Sequence, residues 1–127
     1  GKGTAMSLSR IVMRMARNPG TEFADGDDHR GYTLVAPLNG DGHLDEAAFK
    51  AERDACTVRR FAPDEDAQEG RLSRRGDNWF FDYAVGTEDD EAVFKLGEHR
   101  FAVGEYVSVA DDDGRPLAYK VTDIQAL

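Results

Sequence analysis

The densest set of groups able to do chemistry lies in Asn39-Gly-Asp-Gly-His-Leu-Asp-Glu-Ala-Ala-Phe49, where oxygen donors alternate around a glycine turn ahead of a helix-prone run. This pattern resembles the latter part of an EF-hand calcium loop, with Asn39 and Asp41 at its third and fifth positions, Gly42 at the turn, Leu44 at the apolar eighth and Asp45 at the ninth. The first position falls on Pro37 and the twelfth on Ala48. Both the leading carboxylate and the bidentate closing one are therefore missing, too great a loss for a tight Ca²⁺ site. A polar turn entering a capped helix explains the same residues.

The remaining chemistry is sparser. Imidazole and thiolate suit zinc, but no two of His29, His43, His99 and Cys56 stand at ligand spacing. There is no Gly-x-Ser-x-Gly elbow, and Cys56 has no evident activating base in its apolar surroundings. A carboxylate pair such as Asp82 with Glu105 can be assembled by folding, although sequence gives it no geometry. Gly40-Asp-Gly42 opens a helix as phosphate loops do, but Asp41 and Asp45 would repel an anion there. No catalytic, cofactor or metal residue is assigned on these grounds.

Arginines beside aromatic residues are the most distinctive polar feature. Arg59, Arg60, Arg71, Arg74 and Arg75 precede the strand-like run Trp79 to Tyr83, and with Trp79 they form the candidate interaction surface. Basic residues next to stacking rings also mark single-stranded nucleic-acid binders. The overall charge argues against that use, and alternating strand geometry sends Arg59 and Arg60 to opposite faces.

These residues need a framework, and the hydrophobic pattern supplies one. Ser7 to Arg17 satisfies both helical and strand periods; strand is preferred, because the polar loop from Asn18-Pro19-Gly20 to Arg30 is followed by the alternating run Tyr32, Leu34, Ala36, which needs a partner. Asp45 reads as an N-cap, with Leu44 and Phe49 as a hydrophobic staple and the helix ending near Ala55. Further strands are expected at Thr57–Phe61 (stopped by Pro63), Asn78–Ala84 and Ala92–Leu96. The C-terminal third, from Phe101 to Ile124, reads as two β-runs joined by the turn Ala110-Asp-Asp-Asp-Gly-Arg-Pro116. Seven or so short strands with one helix predict a mainly β protein, an antiparallel rolled sheet or small β-barrel; an α+β roll is the alternative.

The 127 residues suit one domain, taken as 6–127; Gly1 to Ala5, ahead of Met6, read as a vector-derived remnant. A 40% hydrophobic, 32% charged composition with 9% aromatic residues is globular rather than disordered. The net charge of -9 arises wholly after residue 60: residues 1–60 carry nine basic and nine acidic groups, residues 61–127 seven and sixteen. The excess collects in Asp64-Glu65-Asp66, Glu88-Asp89-Asp90-Glu91 and Asp111-Asp112-Asp113, read as solvated turns. A lone cysteine cannot form an internal disulfide, and no run reaches the length of a spanning helix, so a cytoplasmic, non-membrane protein is expected.

Arg14-Met-Ala-Arg-Asn-Pro19, Gly31-Tyr-Thr-Leu-Val-Ala-Pro-Leu38, Asp41-Gly-His-Leu-Asp45, Cys56-Thr-Val-Arg-Arg-Phe61 and Gly104-Glu-Tyr-Val-Ser-Val109, in this order, resemble a family of short uncharacterised bacterial proteins. The resemblance implies a free-standing bacterial domain and carries over no functional residue. The expectation is a non-catalytic interaction or accessory domain with a protein partner and no cofactor. The alternative is a small enzyme or ligand-binding barrel using carboxylate and Tyr groups. A third reading is single-stranded nucleic-acid binding through 59–83, and exposed edge strands leave open a homodimer by sheet extension.

Overall fold

In a computed structural model of the chain, residues 8–63, 65–76, 78–83, 91–94, 100–110 and 114–127 are described. Among them eight strands run in sequence order: β1 (Leu8–Met15), β2 (Asp27–Pro37), β3 (Thr57–Ala62), β4 (Glu65–Arg75), β5 (Asn78–Tyr83), β6 (Glu91–Phe94), β7 (Tyr106–Ala110) and β8 (Pro116–Ala126). Each pairs antiparallel with the next, and β1 also pairs with β8, so the meander closes into a barrel. Of the two β architectures predicted, the rolled sheet and the small barrel, this is the barrel. Closure leaves no long free edge among the described strands for sheet extension.

Alternation builds the barrel. Ile11, Met13 and Met15 of β1 are buried while Arg10 is exposed, which settles the ambiguous first segment as strand. Tyr32, Leu34 and Ala36 of β2, Val58 of β3, Leu72 of β4, Phe81 of β5, Val107 and Val109 of β7, and Leu117, Tyr119 and Val121 of β8 join them in one core. At its centre Tyr32 lies 4.9 Å from Phe81 and 5.0 Å from Tyr119 between ring centroids, so this part of the interior is filled with side chains. Exposed Arg10, Arg59, Arg71 and Lys120 face outward. No helix among the described residues is long and apolar enough to cross a bilayer.

The helix closes the end of the barrel reached by the β2–β3 connection. In α1 (Glu46–Ala51) the Asp45 carboxylate accepts from the Ala48 amide at 3.1 Å, with Glu46 in the first turn and Lys50 in the last. Buried Phe49 meets Trp79 edge-on at 4.9 Å, and Leu44 and Phe101 complete the plug. The helix stops at Ala51, earlier than the pattern implied; Glu52 leaves helical geometry and a 3-10 turn over Arg53–Ala55 delivers Cys56 to the core.

The strand that the pattern did not announce is β4. Glu65 and Asp66, read as part of a turn, lie within it, and Leu72 is its one apolar side chain buried in the core. It forms because β3 and β5 template it on either side, with Arg59 opposite Glu69 and Leu72 opposite Phe81. Asp64, residues 88–90 and 111–113 of the acidic runs, the ends of the strands expected at Ala84 and Leu96, and Gly1 to Ala5 lie outside the described residues.

Candidate functional site

The candidate interaction residues are dispersed by the β3–β4–β5 register. Arg59 is exposed on the outer wall, whereas Arg60 occupies the inward-facing position opposite Tyr32, towards the end of the barrel away from α1. Arg71 is exposed and pairs with Asp54 at 3.0 Å. Arg74 lies at the helix end, paired with Glu46 at 2.6 Å and stacked over the Trp79 ring at 5.5 Å. Trp79 itself is only 4% exposed. Arg75 ends β4 opposite Asn78. Arg74 and Trp79 are thus brought together, and Arg59, Arg60 and Arg71 are kept apart from them.

The calcium-like residues are used by the loop itself. The Asn39 side-chain oxygen accepts from the amides of Asp41 at 2.9 Å and His43 at 3.2 Å, and the Asp45 oxygen caps α1. Gly42 has φ +85° and packs against the Phe101 carbonyl, a position that needs glycine. Among the described residues no three His, Cys, Asp or Glu side chains converge to hold a metal ion. Cys56 is fully buried, and desolvation with the nearby Glu52 charge raises its thiol to about 11, the opposite of an activated nucleophile.

A different group of residues is assembled on the outer wall, at the seam where β1 meets β8. The seam is fastened by Asn18, 8% exposed, whose side chain acts as an extra rung of the ladder. Its oxygen accepts from the Ala118 amide at 2.7 Å, and its nitrogen donates to the carbonyls of Ala16 at 2.9 Å and Ala118 at 3.2 Å. Two residues earlier, the Ala16 amide donates to the Ala118 carbonyl at 3.0 Å. Thr21 and Phe23 fold back on Asn18, so the β1–β2 loop is held against the barrel. Gly26 comes so close to the Met15 carbonyl that an added Cβ would sit 3.0 Å from it.

Between this loop and the wall lies a cleft of about 540 Å³. Register places Arg14 opposite Lys120 and Lys120 opposite Tyr106, so the three form one row across β1, β8 and β7. Arg17, Asp25 and Asp28 line the loop side. Arg14 is held by the Asp28 carbonyl at 3.1 Å, Thr122 Oγ1 at 2.7 Å and Asp123 at 3.4 Å. Among the described residues the side chains of Arg17, Asp25, Asp28 and Lys120 make no ion pair or hydrogen bond, although they share one cleft. Tyr106 is 55% exposed at its edge. Two cations side by side in a sheet repel each other unless an anion joins them, and an exposed tyrosine beside them is a typical interface anchor.

Sequence reasoning missed this cleft because its row joins positions far apart in the chain, although the parity of Tyr106, opposite to that of Val107 and Val109, marks an outward-facing aromatic residue. A smaller hollow of about 230 Å³ lies near Phe49, Arg53, Arg71 and Asp82. Comparison of the chain with family models, with curated proteins and with solved structures finds no match.

Proposed function

We propose that this chain is a non-catalytic interaction domain of the bacterial, cytoplasmic type, and that it binds a protein partner through the outer wall around Tyr106. The observation that carries the reading is the exposed Tyr106 beside Lys120, which has no partner among the described residues, in a cleft on a barrel whose centre is occupied by packed aromatic rings. Tyrosine gives a large contact area at low entropic cost, and cations at the rim steer association. The test is capture of partners from a bacterial lysate, with nuclease, comparing the unaltered domain with the Tyr106→Ala/Lys120→Glu variant. A discrete protein that survives nuclease and is lost with the variant supports the reading. A partner retained equally by the variant, or turnover of a substrate by the purified domain, overturns it.

A ligand-binding role is favoured by one separate observation, the inward-facing Arg60 opposite Tyr32, whose ring meets Tyr119. An acidic ligand at that end would raise the melting temperature of the unaltered domain and not of Arg60→Met. Nucleic-acid binding through 59–83 is less well supported, since Trp79 is packed against Phe49 and has no free face for a base to stack upon.

A further inference from the structure

Resting on the docking face proposed above, we infer that the cleft takes an extended partner segment of five residues carrying a basic, an acidic and an apolar side chain at alternate positions. The order of groups across the wall carries the argument. Asp28 belongs to β2, and its carbonyl receives the Arg14 guanidinium; Arg14 is on β1, Lys120 on β8 and Tyr106 on β7. Crossing the cleft from the β2 side therefore meets carboxylates, then cations, then an exposed ring.

The dimensions match a peptide. Neighbouring strands are about 4.8 Å apart, so β2 to β7 spans roughly 14 Å. An extended chain rises about 3.4 Å per residue, and residues one, three and five present their side chains to the same side over roughly 14 Å. A base at one end then reaches Asp25 and Asp28, an acid in the middle reaches Lys120, and an apolar side chain lies on Tyr106. Such a segment would supply partners to Asp25, Asp28 and Lys120, which are left without them among the described residues. Contacts at this exposure are individually weak, so the affinity of an isolated peptide falls in the millimolar range.

The test is titration of the isotopically labelled protein with Ac-Lys-Ser-Glu-Ser-Leu-amide and its reversed sequence, to cover both chain directions, followed by amide chemical shifts. The charge-exchanged Ac-Glu-Ser-Lys-Ser-Leu-amide and its reverse serve as controls, and Lys120→Glu, an exposed change whose thermal transition is checked first, serves as the variant. The expected result is saturable shifts clustered at Arg14, Lys120 and Tyr106 with one direction of the first pair. Affinity should be several-fold weaker with the exchanged pair and lost in Lys120→Glu. Scattered or non-saturating shifts, or equal affinity for both charge orders, overturn the inference. If the peptides fail while a lysate protein is still lost with Tyr106→Ala/Lys120→Glu, the peptide chemistry falls and the docking face survives; if both fail, the face falls too.

Discussion

Replacing Asn18 by alanine tests how much the barrel depends on its seam. The change removes the acceptor of the Ala118 amide and the donor to the Ala16 and Ala118 carbonyls, three bonds of 2.7 to 3.2 Å at a site that is 8% exposed. At about 1 kcal/mol net per bond the loss is about 3 kcal/mol. A chain of 127 residues has a melting entropy near 0.27 kcal/mol/K, so the melting temperature falls by about 11 °C. Asn18→Asp separates hydrogen bonding from shape. It keeps the acceptor for Ala118 but turns a carboxylate oxygen towards two carbonyls, so at neutral pH it is at least as damaging as alanine. Burial raises its folded pKa above the unfolded value. The variant is therefore least impaired below the unfolded carboxyl pKa, near 4, and loses stability as pH rises through the folded one. Differential scanning calorimetry between pH 3 and 8 reads both effects, the pH range being set by those pKa values. An alanine variant melting within about 4 °C of the parent, the equivalent of 1 kcal/mol, or an aspartate variant as stable as the parent at pH 7, would refute the assignment of Asn18 as the fastener.

Cys56 should resist alkylation in the native protein at pH 8 to 9 and react at once in denaturant, because its thiol is buried and titrates at about 11. Its folded pKa lies above the ordinary value of 9.0, so its contribution to stability is intact below pH 9 and is lost as pH rises towards 11; rapid native labelling at pH 8 would contradict this. Gly31→Ala should be severely destabilising, since the added Cβ would fall 1.9 Å from the Met13 carbonyl oxygen across the β1–β2 pair, whereas Gly40→Ala, with open space around it, should melt within a few degrees of the parent. Equal melting temperatures for the two would mean that β1 and β2 do not approach as closely as described.

Much of this fold was readable from alternation, because a barrel interior demands period two and Ile11, Met13, Tyr32, Leu34, Phe81, Val107 and Val109 supply it. The Asp45 cap and the placement of Arg59 and Arg60 on opposite faces follow from equally local rules. β4 was illegible because Glu65 to Arg75 contains a single leucine and no β-branched residue; its neighbours' hydrogen bonds, not its own pattern, make it a strand. The cleft was illegible for a related reason. Its row of Arg14, Lys120 and Tyr106 is created by two ladders, one of which closes the barrel between the first and last strands. Asn18 announced a turn through Pro19 and Gly20, yet nothing local revealed that its side chain reaches a residue a hundred positions away.

That reach bears on the order in which the molecule assembles. Seven of the eight ladders join strands adjacent in the chain and can zip locally, whereas the eighth must close a loop of about a hundred residues. The length-dependent part of that closure alone costs about 4 kcal/mol of chain entropy, so the seam forms after the hairpins have shortened the effective loop. Its bonds are then largely unmade at the rate-limiting barrier, and weakening them speeds unfolding far more than it slows folding. In the native protein the same seam is the natural place for transient opening, visible as faster amide exchange at Ala16 and Ala118 than in the β2–β3 ladder, and each such opening would momentarily dismantle the wall on which the cleft is built.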